Sequence, residues 1–75
     1  MPLIEVKVLE GTFGTEEKQR IVRDLTEAMV RIEGENLRSI TWVVVSEVKS
    51  GDWGIGGKPY TTEDVKALAK GATDA

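Results

Sequence analysis

Four consecutive apolar residues, Trp42-Val43-Val44-Val45, stand at the centre of a segment, Ile40 to Val48, that reads as a β-strand. Side chains of a strand alternate between two faces, so an uninterrupted apolar run asks for cover on both. The whole chain has 75 residues, with no cysteine and no histidine. Disulfide staples and thiol chemistry are excluded, as are the usual zinc, copper and haem ligand sets. Domains this small without staples usually gain stability by association. Cover for the second face is therefore expected from another subunit.

The other periodic segments fit around that strand. In Leu3 to Leu9, Ile4, Val6 and Val8 alternate with Leu3, Glu5, Lys7 and Leu9, a strand with one more buried face, closed by Glu10-Gly11. Thr15 is placed to cap a helix with Glu16 and Glu17 in its first turn. Ile21, Val22, Leu25, Ala28, Met29 and Ile32 then recur at helical spacing, and Gly34 fits the end. Glu16/Arg20, Arg20/Asp24 and Glu27/Arg31 lie four apart as a solvated face. Strand, long helix and strand make a βαβ unit, with parallel strands and a right-handed crossover.

Ser50 to Gly57 is dense in glycine, with Trp53 and Ile55 set into it. Its Gly-x-Gly-Gly run lacks the lysine-serine/threonine ending of a phosphate loop, so a tight hairpin needing positive φ is the reading preferred. Thr61 or Thr62 caps a short last helix with Val65, Leu68 and Ala69 on one side and Gly71 at its end.

Net charge is -3, from 10 basic and 13 acidic residues, without a basic stripe interleaved with aromatics, so nucleic acid is not an expected partner. Trp42 to Val45 is the longest fully apolar stretch and is far too short to cross a bilayer. No secretory pattern opens the chain, and a soluble cytoplasmic protein is expected. No Asp/Glu run has loop-ligand spacing, so no bound metal is expected.

Pro2 follows the initiator methionine. Once Met1 is removed, its nitrogen becomes a secondary amine, whereas any other proline nitrogen is an amide without basicity. A terminal amine titrates near pH ~8 when unperturbed. An apolar pocket or nearby cations lower that value into the range of a general base.

Pro2, Leu9-Glu10-Gly11, Glu16-Glu17-Lys18, Val45-Ser46-Glu47 and Trp53-Gly54-Ile55-Gly56-Gly57 occur in this order. The combination resembles the 4-oxalocrotonate tautomerase family of the tautomerase superfamily, over roughly residues 2–57. The resemblance implies an α/β fold: a β-α-β unit with a C-terminal hairpin, followed here by a short terminal helix. Residues 1–75 are expected to form a single domain, with 2–57 as its core and 58–75 as a C-terminal extension. Such short chains assemble as hexamers, usually trimers of dimers; a homo-hexamer is expected, with a hetero-hexamer as the alternative.

The activity implied is cofactor-free proton transfer on a small enol or 2-oxo acid, with Pro2 as base and then acid. Trp53 matches the aromatic that walls the family's pocket and keeps the amine's pKa low, and Ile55 matches a hairpin residue of the same wall. Phe13 and Trp42 fall in or beside the pocket-forming regions and would make the site more apolar, suited to a neutral or monoanionic substrate.

Two departures stand out. The best-known tautomerases carry an arginine directly after Glu-Gly and another early in the second strand. Here Thr12 and Phe13 take the first place, and Trp42 or Thr41 the second. An arginine fork orients a carboxylate and stabilises a developing dienolate, so each loss costs roughly 3 kcal/mol on a dicarboxylate. Arg38, just before the second strand, is a candidate replacement, and Lys7 another. The alternatives are a divergent dehalogenase- or hydratase-like member, or a non-catalytic subunit of a mixed oligomer.

Overall fold

The computed structural model describes residues 1–71. β1 (Leu3–Leu9) leads through a short loop to α1 (Thr15–Glu33), then to a 3-10 helix (Glu35–Ile40) and β2 (Trp42–Val48). β3 (Trp53–Ile55), β4 (Lys58–Tyr60) and α2 (Thr62–Ala69) follow. β1 pairs with β2, and β3 with β4. The Pro2 carbonyl accepts from the Trp42 amide at 3.1 Å, and the Glu10 amide donates to the Val48 carbonyl at 2.7 Å. Start therefore pairs with start and end with end, so β1 and β2 run parallel with α1 in the crossover. The expected α/β class with a β-α-β unit, hairpin and terminal helix is the architecture observed.

Two compact units can be distinguished. One comprises Met1–Lys7 and Gly14–Ser46; the other comprises Val8–Phe13 and the chain from Glu47 onward. In the first, α1 is capped at Gly14 rather than at Thr15, which is its first helical residue. The Glu17 carboxylate accepts from the Gly14 amide at 2.8 Å, and the Gly14 carbonyl opens the helical ladder to Lys18. Gly34 ends α1 with φ 102° and ψ 154°, a conformation essentially restricted to glycine. The buried residue of α1 is Val30, whereas Ile32 is 83% exposed, so the apolar stripe read from the sequence is not covered along its full length.

β2 starts at Trp42 and not at Ile40, because Glu35–Ile40 winds into the 3-10 helix, closed by the Thr41 amide on the Arg38 carbonyl at 3.2 Å. In β1 and β2 the exposed side chains alternate with covered ones: Leu3, Trp42 and Val44 are 56%, 57% and 42% exposed, and Ile4, Val6, Val43 and Val45 are half-buried. Among the described residues, only Val8, Leu9 and Val30 are buried apolar side chains.

In the second unit, Gly56 (φ 59°) and Gly57 (φ 84°) form the two-residue turn between β3 and β4. Positive φ at both central residues is the type I′ arrangement, whose twist matches the paired strands. The return strand, Lys58–Tyr60, lies beyond residue 57, in the stretch that the sequence suggests is an extension. Trp53 faces Tyr60 across the ladder and Ile55 faces Lys58. Thr61 caps α2: its hydroxyl accepts from the Asp64 amide at 3.2 Å, while the Asp64 carboxylate accepts from the Thr61 amide at 3.0 Å.

Candidate active site

Pro2 lies half-buried immediately before β1, and Met1 beside it is exposed. The Pro2 nitrogen has no hydrogen to offer the sheet, so the residue is tied down through its carbonyl, which accepts from the first amide of β2 at Trp42. That bond brings the backbone of Pro2 and Trp42 together. The Trp42 indole emerges on the exposed face of β2 shared with Val44. With Met1 attached the Pro2 nitrogen is an amide; its removal is what makes it a base.

Arg38 sits four residues before Trp42, in the 3-10 helix. Its guanidinium takes Glu27 of α1 in a two-pronged grip, Nη1 to Oε2 and Nη2 to Oε1, the latter at 3.0 Å. Nε and Nη2 also reach the Glu35 carboxylate, Nη2 at 3.3 Å. Hydrogen bonds from Arg38 hold both glutamates below the ordinary carboxylate value, and the two carboxylates push the guanidinium's pKa further upward. Arg38 is thus a cation already shared between two anions. Thr41, next along, places its hydroxyl between the Glu33 carboxylate and the Leu37 carbonyl, 2.8 Å from the latter.

Of the residues singled out from the sequence, Pro2, Arg38 and Trp42 fall in the first compact unit, and Phe13, Trp53 and Ile55 in the second. Phe13 occupies the loop after β1, where the Thr12 hydroxyl and amide both close on the Leu9 carbonyl, at 2.6 and 3.2 Å. Thr12, at the first position where the resemblance calls for arginine, therefore shapes a turn. Trp53 is half-buried opposite Tyr60, and Ile55, on the same face of β3, is exposed. The Lys58 ammonium lies 5.3 Å from the centre of the Tyr60 ring. Thr62 secures the hairpin end of this unit: its amide donates to the Ser50 hydroxyl at 2.9 Å and its hydroxyl to the Glu10 carbonyl.

The contacts of Glu27 and Glu35 with Arg38, and of Thr41 with Glu33, escape a reading of the sequence alone. The Glu35/Arg38 pair has helical spacing and is visible in principle. Glu27 and Arg38 are eleven positions apart on different elements, and no local period connects them. Among the described residues, no group of three Asp/Glu side chains converges to hold a metal ion, and no helix is long and apolar enough to cross a membrane.

A parallel βαβ unit followed in the chain by a glycine-turned hairpin, with Pro2 immediately before its first strand, is the arrangement in which the candidate residues are set. The family described as "Tautomerase enzyme" matches residues 2–63. A "Probable tautomerase K2" of Dickeya dadantii is 30% identical, over 81% of this chain and 90% of its own. A 2-hydroxymuconate tautomerase of Pseudomonas putida is 34% identical, over 77% of this chain and 89% of its own. A crystal structure of a 4-oxalocrotonate tautomerase homologue superposes with a TM-score of 0.68 at 34% identity, covering 85% of this chain and 95% of that one. The chain belongs to the tautomerase family. Members of that family are enzymes that process small molecules, and membership supports an isomerase.

Proposed function

We propose that the protein, once Met1 is removed, is a cofactor-independent tautomerase whose Pro2 amine shuttles a proton on a small enol or 2-oxo acid. The supporting observation is the seat of Pro2: half-buried, at the head of β1, with its carbonyl fixed by the Trp42 amide at 3.1 Å, in a chain of this family. In the reaction, the neutral amine takes the proton of the enol hydroxyl. The oxygen lone pair re-forms the carbonyl as the carbon–carbon double bond moves, and the prolinium returns the proton to carbon. Proton count and charge are restored at the end of each turnover.

The substrate class follows from the surroundings offered to Pro2. Trp42, whose amide holds the Pro2 carbonyl, is proposed to wall the site, and an apolar wall disfavours the protonated amine and keeps it basic near neutral pH. Arginines are missing from the two expected places, where Thr12 and Thr41 have local structural bonds instead. Arg38 is engaged by Glu27 and Glu35, so a substrate carboxylate has to compete with both. A monocarboxylate or neutral enol, with an aromatic or extended apolar body, suits this set better than a dicarboxylate. Cytoplasmic residence and a hexameric assembly complete the proposal, the latter supported by the exposed apolar face of β1 and β2.

The test compares Met-free, mass-verified protein with its Pro2→Ala variant. Ketonisation of phenylenolpyruvate and of 2-hydroxymuconate is followed by ultraviolet absorbance. Loss of the base is expected to lower kcat/KM by about 100-fold or more, with phenylenolpyruvate the better substrate of the wild type. Equal rates in the two proteins would sink the mechanism. The occupied state of Arg38 also favours a second reading, a subunit that keeps the fold without activity. That reading predicts no turnover by Met-free protein on either compound.

A further inference from the structure

We infer that Arg38 is a positioning residue for Pro2, acting through the backbone of Thr41 and Trp42; the inference builds on the proposed role of Pro2 as proton shuttle. The links are continuous. The guanidinium joins Glu27 on α1 to Glu35 at the start of the 3-10 helix. The Arg38 carbonyl accepts from the Thr41 amide at 3.2 Å, and one residue later the Trp42 amide donates to the Pro2 carbonyl at 3.1 Å. The Thr41 hydroxyl adds a second tie to α1 through Glu33. All of these residues lie in one compact unit.

This chain of bonds matters because Pro2 stands at the very start of the chain, outside β1, where few other contacts hold it. With Met1 gone, Pro2 is a terminal residue, and terminal residues stay ordered only where something ties them down. Its nitrogen is reserved for the proton, which leaves the carbonyl as its backbone anchor. The donor to that carbonyl sits where the 3-10 helix delivers the chain. Glu35–Ile40 has no fully buried residue, only Leu37 and Ile40 half-buried, so packing fixes its course weakly. Bidentate, charge-assisted bonds add to that hold, and a guanidinium forms them with a geometry that an ammonium does not reproduce. A substrate ligand in the same place would need free N–H donors, whereas this fork is divided between two carboxylates.

Met-free protein carrying Arg38→Met, Arg38→Lys or Glu27→Gln tests the inference with phenylenolpyruvate as substrate. kcat, KM and the pH–rate profile are measured, and the Pro2 amine is titrated directly by NMR on protein labelled at proline. Arg38→Met is expected to lower kcat roughly tenfold, as a small displacement of a reacting group does, while KM changes less than about twofold. The Pro2 titration moves up toward the ordinary terminal-amine value near ~8 as water gains access. Arg38→Lys recovers part of the rate, and Glu27→Gln repeats the shift although the arginine is still present.

A raised KM in Arg38→Met, with kcat and the Pro2 titration unchanged, overturns the inference in favour of a substrate ligand; a lowered KM in Glu27→Gln does the same. A lower melting temperature with kcat and titration both unchanged overturns it in favour of a purely structural tie. Should Arg38→Met not fold, Glu27→Gln carries the same reading. Wild-type activity in Pro2→Ala would defeat the proton-shuttle function itself, whereas the NMR titration reports on Arg38 and Pro2 independently of turnover.

Discussion

Glu27 and Glu35 are held below their ordinary value of 4.5, chiefly by hydrogen bonds from Arg38, with Arg31 adding to the effect on Glu27. A carboxylate whose folded pKa is depressed contributes stability above its unfolded pKa and loses it as pH falls through the folded one. The clamp is exposed, so its contribution is reduced by salt. Urea midpoints of the wild type and of the Glu27→Gln/Glu35→Gln double variant are expected to differ most at neutral pH. They should begin to converge as pH falls through about 4, where unfolded carboxylates protonate, and meet once pH has passed below the depressed folded values; the neutral-pH difference should also shrink in high salt. A difference that persists in acid would mean that shape, and not charge, holds the connection. At this scale the sequence is readable where chemistry depends on position alone: Pro2 is marked by its place after Met1, and Trp53 and Ile55 by the glycines around them. Arg38 is legible as a cation near β2 but not as half of a clamp, because its partner is set by how α1 and the 3-10 helix come together.

Elements with a period are the legible ones. β1 spans Leu3–Leu9 in the sequence pattern and in the structure alike, and the hairpin turn follows from two adjacent glycines. The 3-10 helix merges with β2 in the sequence pattern, since Glu35-Asn36-Leu37-Arg38-Ser39-Ile40 is too short to display a repeat. The helix cap lies one residue earlier than the sequence suggests, for a related reason: a glycine N-cap has no side chain to announce it, and the bond at Gly14 comes from Glu17. Gly34 is the hinge between α1 and that short helix, at φ 102° and ψ 154°, and a methyl group added at its Cα would meet open space. The obstacle to a side chain there is backbone strain, not crowding. Gly34→Ala is therefore expected to lower unfolding free energy by roughly 1–3 kcal/mol, measured by urea titration. A loss below a few tenths of that size would show that the connection relaxes easily into another path.

For the molecule as a whole, the exposed side of the β1–β2 sheet sets the terms. Leu3, Trp42 and Val44 leave an apolar surface there, with Glu5 and Lys7 exposed further along β1. Fully burying one such side chain stabilises by about 1.5–3 kcal/mol, enough for a few of them to favour association. The apolar run that asks for cover on two faces receives only partial cover within one chain, which is why the sequence points beyond the monomer while leaving the symmetry of the assembly undetermined. Val44→Lys places an ammonium in the middle of this face, and a charge buried there without a partner is unfavourable. Sedimentation of the wild type is expected to give a mass several times the 8.2 kDa of one chain, and the variant should shift toward the single chain at the same concentration. If the site needs a neighbouring copy, activity falls in step with dissociation and recovers as the variant is concentrated. A wild type that sediments at 8.2 kDa would remove the assembly from the proposal, leaving Pro2 to act within one chain.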